Sequence, residues 1–402
     1  MEHNRLKLPV SIQDFVSLRE DGCLYVDKTA RIHQLISGSG RAFFLSRPRR
    51  FGKSLLCSTL GAIFEGRRDL FDEIEGQPAL AINSLKWGWK KHPVIHFDLN
   101  PGDYSQGLDE LYAGLDRNME FCAQKYGITV TGTTKSDRLA RLIHDLNKTC
   151  DERVVVIIDE YDKPLLNTID FPKLHAIMRS VLKGFYAVLK SSDAYLKFVF
   201  LTGVTKFSHV SVFSDLNHLT DLSLDPEYAD ICGITQEELV QNFEPEIANA
   251  IQDAGLTREE YFDELRRYYN GYRFSEKNLK IYNPFGLLKH FRNNGKFLDY
   301  WYESGTPTFL INIIANQKVN ILDLNNLKVG YSDFKKYDIE TMQAASLLYQ
   351  TGYLTITDYD TDNNQFTLDY PNEEVRSCFA QSLLENYAKT SETAFRSLFA
   401  NG

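Results

Sequence analysis

The densest chemistry in the sequence lies in eight residues, RPRRFGKS (Arg47–Ser54). They close on Gly52, Lys53 and Ser54, the ending of a phosphate-binding loop of pattern GxxxxGK[ST]. Such a loop holds phosphate because successive backbone N–H groups and a helix N-terminus converge on it. Gly52 allows close backbone approach, Lys53 would reach the β- and γ-phosphates, and Ser54 would place its hydroxyl on Mg²⁺. The first position departs from the pattern: Arg47 stands where glycine is expected, with Pro48 behind it. That change restricts the entrance of the loop, not its phosphate-facing end. Five cations and no acid lie between Arg41 and Lys53, which favours an anionic ligand. A basic turn at the start of a surface helix has the same composition, and the octapeptide alone does not separate the two.

A second run, VVVIIDEYD, weights the choice. An apolar strand there delivers Asp159 and Glu160 at its C-terminal end, the edge at which open α/β sheets bind ligands. Asp159 can hold Mg²⁺, directly or through water, and Glu160 can orient or deprotonate an attacking water. A lone carboxylate in that place is commonly a cap or a solvated strand end. An apolar strand ending in Asp-Glu, downstream of a GKS helix, is a much rarer combination and points to nucleotide binding. The candidate catalytic residues are therefore Glu160 and Lys53, and the candidate metal ligands Ser54 and Asp159.

The elements that must position these residues are legible nearby. RAFFLS (Arg41–Ser46) is a short run of β-formers before the loop. After it, Leu56, Leu60, Ile63 and Phe64 recur at helical spacing. The loop thus joins a strand to a helix, as phosphate-binding loops do. PVIHFDL (Pro93–Leu99), RVVVIID (Arg153–Asp159) and LKFVFLTG (Leu196–Gly203) read as further strands, and Leu174, Ile177, Met178, Val181 and Phe185 as one stripe of an amphipathic helix. Strands alternating with helices predict a parallel α/β domain over residues 1–225. Capping boxes at Thr235/Glu238 and Thr257/Glu260 open a helical region, 226–335. In 336–402 the helix ETMQAASLLYQTG, stopped by Gly352, precedes strand-like YLTITDY and QFTLDY around DTDNN. A helix followed by such a hairpin suggests a winged-helix-like module.

Several of these stretches resemble, in order and over almost the whole chain, the AAA-ATPase-like family of bacterial proteins: YVDKT, FLSRPRRFGKSLL, VVIIDEYDKPL, FVFLTGVTKFS, YNGYRF, YNPF and GYLTI with YPNEEVR. In that family an arginine-rich loop lacking the first glycine is normal. The resemblance implies a P-loop core of the additional-strand type, followed by helical and winged-helix-like regions, that binds and hydrolyses ATP with Mg²⁺. It extends the candidate nucleotide contacts to Arg49, Arg50, Phe51, Gly52, Lys53, Ser54 and Leu55. It places Thr202 at a sensor position, where a hydroxyl could feel the γ-phosphate; a threonine satisfied by backbone at a strand end is the alternative. The family commonly continues into a PD-(D/E)XK-type nuclease. No late pair of strands carrying Asp and Glu-x-Lys is visible here, and nuclease activity is not carried over.

Lesser signals carry two readings each. Asp27 in YVDKT could border a base, or cap the helix that follows. Arg273 in YNGYRF could be a lid arginine reaching nucleotide, while Asn270-Gly271 reads as a helix stop. KWGWKKH (Lys86–His92) interleaves aromatics with cations, as single-strand binders do, but a packed tryptophan pair beside solvated lysines is commoner. Nucleic acid gains no other support, and a formal charge of -9 argues against binding it over the whole surface. The six cysteines form no CxxC and no zinc-finger spacing, so free thiols in a cytoplasmic protein are expected. No apolar run approaches the ~20 residues of a membrane span. The functional expectation is a Mg-ATP-driven switch with protein partners or self-association through the C-terminal half. The alternative is a scaffold that binds nucleotide without turning it over and recruits protein or nucleic acid partners through its C-terminal half.

Overall fold

Four apolar runs build one sheet, because strands hydrophobic on consecutive positions must be covered on both faces. In the computed structural model they are β1 (Ala42–Ser46), β2 (Val94–Asp98), β3 (Val154–Asp159) and β4 (Leu196–Gly203). The structure describes residues 6–74, 76–206, 219–301, 310, 324–331 and 344–384. A two-residue strand, β5 (Thr220–Asp221), completes a five-stranded parallel sheet of order β2-β3-β4-β1-β5. β4 lies between β1 and β3, so the strand feeding the loop and the strand bearing Asp159 are not neighbours. β3 is buried at every position, whereas β2, at the edge, exposes His96 and Asp98. Parallel alignment brings Ser46, Asp98, Asp159 and Gly203 to one edge of the sheet.

Seven helices of this first unit are α1 (Phe15–Glu20), α2 (Thr29–Ser37), α3 (Lys53–Phe64), α4 (Leu108–Lys125), α5 (Lys135–Cys150), α6 (Lys163–Asn167) and α7 (Pro172–Ser191). The stripe expected on α7 is met in part. Of the expected set, Met178 and Phe185 are buried, Leu174 and Val181 half-buried and Ile177 exposed; the buried stripe adds Leu182, Tyr186 and Leu189 and so runs on to the helix end. All six cysteines are free thiols. No helix among the described residues is long and apolar enough to cross a membrane.

The chain divides into two units between Gly233 and Ile234 rather than near residue 225. Gly233 N–H donates to the Phe51 carbonyl, which ties residues up to 233 to the loop, while Ile234 pairs with Tyr282. In the second unit α8 (Gln236–Ala254) and α9 (Arg258–Tyr269) both carry complete capping boxes, at Thr235/Glu238 and Thr257/Glu260. α10 (Pro284–Arg292) follows, and α11 (Ala344–Thr351) ends before Gly352; residues 340–343 of the helix expected there lie outside the described residues. β7 (Thr355–Asp360) and β8 (Gln365–Asp369) form the expected hairpin, and β6 (Leu327–Gly330), not legible beforehand, adds to it in an antiparallel order β6-β8-β7.

His290 on α10 sits at the centre of the second unit's aromatic core, fully buried. Its Nδ1 lies 3.1 Å from the Lys296 carbonyl and so carries the proton, leaving Nε2 to accept from the Tyr261 hydroxyl at 2.7 Å. Burial pushes this imidazole down to about 4. Between that value and the ordinary ~6.5, the unfolded chain binds a proton the folded one refuses, so stability falls as pH falls through this window. At about pH 5 the loss is roughly 2 kcal/mol relative to neutral pH. Urea midpoints should show it for wild type and show much less of it for His290→Gln; parallel pH profiles would remove His290 as the cause.

Candidate functional site

The loop leaves β1 at Ser46 and enters α3 at Lys53. Gly52 caps that helix at φ +90, a left-handed conformation that strains any residue with a Cβ. Arg50 shares the left-handed region at φ +64, bending the loop around the helix terminus. Lys53, the first helical residue, is buried, and its ammonium donates to the carbonyls of Arg47 and Pro48, each at 3.2 Å. The same nitrogen lies 3.4 Å from Glu160 Oε1. Lysine, loop backbone and strand-end carboxylate therefore converge on one point.

Arg47 explains the missing glycine. Its side chain is buried and turned away from the loop mouth. One guanidinium nitrogen donates to the carbonyls of Ser46 and Ser223, both at 2.9 Å, and another to Tyr228 at 3.1 Å. The arginine staples the end of β1 to the segment beyond β5. Sequence reasoning missed this role, because the carbonyl partners lie 176 and 181 residues away. Arg47→Gly restores the consensus yet removes three charge-assisted bonds and a packed side chain. We expect a loss of about 3 kcal/mol or more and no tighter nucleotide binding. Denaturant midpoints and nucleotide titration check both; a stable, tighter-binding variant would identify Arg47 as a decayed glycine.

Of the other loop residues, Phe51 turns its ring into the core and its carbonyl to Gly233, so only its amide remains for a ligand. Arg49 is half-buried and Arg50 exposed at the mouth. Ser54 and Leu55 lie in the first turn of α3, both half-buried.

Asp159 ends β3, buried, with Ser54 close enough to its carboxylate to stabilise the charge. Burial pushes this carboxyl up to about 7, and the charge of Glu160 adds to the effect; Ser54 and Lys53 pull the other way. A hydroxyl and a carboxylate side by side are hard oxygen donors, the set that Mg²⁺ takes from proteins alongside its waters and phosphate oxygens. A divalent cation there would supply the positive charge the buried carboxylate lacks. Glu160 is held at φ +54, with its N–H on Asp159 Oδ1 at 3.0 Å. Left-handed backbone in a residue with a side chain costs of order 1 kcal/mol or more and is met at functional sites.

Thr202, at the end of β4, is fully buried, and its hydroxyl has no hydrogen-bond partner among the described residues. Its carbonyl accepts from the Tyr161 N–H at 3.0 Å, which sets the end of β4 beside the residues after Glu160. Lys206 forms an ion pair with Asp221 on β5.

The lesser signals resolve mostly into structure. Asp27 accepts from the Thr29 N–H at 2.8 Å, so it caps the start of α2, and from the Ala81 N–H at 2.7 Å. Arg273, the candidate lid arginine, is buried and donates to the carbonyls of Ser275, Thr357 and Glu276. In KWGWKKH, Trp87 packs edge-on against Phe64, Trp89 packs against Phe71, and Lys90 pairs with Glu152.

Comparison with known proteins agrees with this geometry. A family profile described as "Predicted AAA-ATPase" matches residues 9–213, the stretch that contains β1 to β4, the loop and the acidic pair. A protein of Azotobacter chroococcum mcd 1, "Uncharacterized protein in vnfD 5'region", is 36% identical over 397 residues, 98% of this chain and 73% of its own length. With Gly52-Lys53-Ser54 and Asp159-Glu160 meeting at one sheet edge inside the matched stretch, the chain belongs to the AAA-ATPase-like family of predicted ATPases.

Proposed function

We propose that the protein binds ATP with Mg²⁺ in the loop Arg47–Ser54 and hydrolyses it, using nucleotide state as a switch. The observation that carries this reading is the convergence of Lys53 on Glu160 at 3.4 Å, at the strand end where Asp159 is buried near Ser54. Arg49, Arg50, Gly52, Ser54 and Leu55, with the amide of Phe51, would line the phosphates. Lys53 would leave its carbonyl partners for the β- and γ-phosphates. Ser54 and Asp159 would hold Mg²⁺, which when bound supplies charge neutralisation of the phosphate oxygens. Glu160, released from Lys53, would accept a proton from a water aimed at the γ-phosphate. The unpartnered Thr202 hydroxyl is suited to sense that phosphate.

The output would pass through the second unit, whose helix α11 and β6-β8-β7 sheet support a winged-helix-like assignment. The hairpin exposes Asp358 and Asp362 and carries no Lys or Arg between Tyr353 and Pro371, so it would repel a phosphate backbone. A protein partner, or a second copy, suits it better. Phosphate release at saturating Mg-ATP tests the enzyme. Nucleotide binding without turnover would favour the scaffold reading, and no binding at all would defeat both.

A further inference from the structure

Asp162 lies beyond the acidic pair and is fully buried. Its Oδ2 accepts from the Thr205 N–H at 2.6 Å, the Thr205 hydroxyl at 2.7 Å and the Val204 N–H at 3.1 Å. The approach is so close that a Cβ on Gly203 would stand 2.4 Å from Asp162 Oδ1, so the position suits a residue with no side chain. Two more bonds run alongside: the Tyr161 N–H to the Thr202 carbonyl at 3.0 Å, and the Tyr161 hydroxyl to the Thr205 carbonyl at 2.9 Å. The residues that follow β3 and those that follow β4 are thus joined along their length. Glu160, with its left-handed backbone, and Thr202 stand at the same end of that junction, where the Tyr161 N–H meets the Thr202 carbonyl, and Asp162 with Thr205 closes the other end. A helix cap or a loop tie would need one such bond. Here a buried carboxylate takes three donors from the single segment that extends the Thr202 strand.

We propose that Asp162 is a positioning residue for hydrolysis, which clamps the segment after β4 so that Glu160 and Thr202 face the γ-phosphate together. The inference rests on the ATPase reading above. It predicts a separation of turnover from binding, because the Asp162 carboxylate bonds only Val204 and Thr205 and no residue of the Arg47–Ser54 loop; the one tie from the clamped segment to that loop is the Gly203 carbonyl, which accepts from the Arg47 N–H at 3.2 Å, at the loop's entrance. Asp162→Asn keeps the shape but turns one acceptor into a donor against N–H groups already pointing at it. In a folded variant, kcat should fall about 10- to 100-fold while the Kd for ATP stays within about threefold, since a small misplacement of reacting groups costs rate and not affinity. Thr205→Val removes only the hydroxyl bond and should lower kcat by a few-fold; it serves if Asp162→Asn does not fold. In a Glu160→Gln background, Asp162→Asn should cause little further loss, because the group it positions is already gone. Wild-type kcat in folded Asp162→Asn, or in Thr205→Val if only that variant folds, would overturn the proposal, as would loss of ATP binding in parallel with rate. A wild-type protein without turnover would instead overturn the ATPase reading, so the two failures are distinguishable.

Discussion

Glu160→Gln is expected to lower ATP hydrolysis by a factor on the order of 10² to 10⁴ while nucleotide binding is kept. Glutamine retains the length and hydrogen-bonding reach of the side chain and loses its ability to take a proton from water. The structure sharpens the binding half of this expectation. Glu160 lies 3.4 Å from the Lys53 ammonium, so it would compete with phosphate for that cation. Removing its charge should leave ATP affinity equal or somewhat tighter. The loss of charge also relieves Asp159, whose carboxyl is pushed up in part by its neighbour. Single-turnover phosphate release and equilibrium titration separate the two effects. Equal turnover in variant and wild type would take Glu160 out of the mechanism, and weakened binding would mean that its main role is structural.

Lys53→Ala should act on the other quantity. A charge-assisted hydrogen bond to phosphate contributes roughly 1.5–3 kcal/mol, so ATP should bind about ten- to hundredfold more weakly. That range is a lower bound here. Without the ammonium, Glu160 faces the incoming phosphates without its counter-ion, and that repulsion adds to the missing contact. The loop itself is also affected, because the Arg47 and Pro48 carbonyls lose the donor that gathers them. A thermal melt therefore belongs beside the titration. Unchanged affinity in a folded Lys53→Ala variant would defeat the phosphate-loop reading, whatever its turnover.

Local order along the chain determined much of this protein. The strand–loop–helix around Gly52-Lys53-Ser54, the buried strand ending in Asp159-Glu160, the capping boxes of α8 and α9 and the hairpin β7–β8 all follow from patterns spanning a few residues. Backbone hydrogen bonding, side-chain alternation and capping are short-range interactions, so they leave a trace at fixed spacing in the sequence. Tertiary structure alone decided which strands are neighbours. Nothing local in β4 says that it inserts between β1 and β3, and β5 is too short to show a pattern at all. It also decided what the unusual residues do. Arg47 looked like a fault in a phosphate loop and proves to be a staple to carbonyls at Ser223 and Tyr228. Arg273 was read as a candidate lid arginine and is buried against backbone carbonyls. Asp162 gave no signal beyond its place in a motif, yet it binds a segment more than 40 residues away. In each case most of the partners are backbone carbonyls or N–H groups. Every residue but proline carries both groups, so no sequence pattern reveals which of them a buried charge will find.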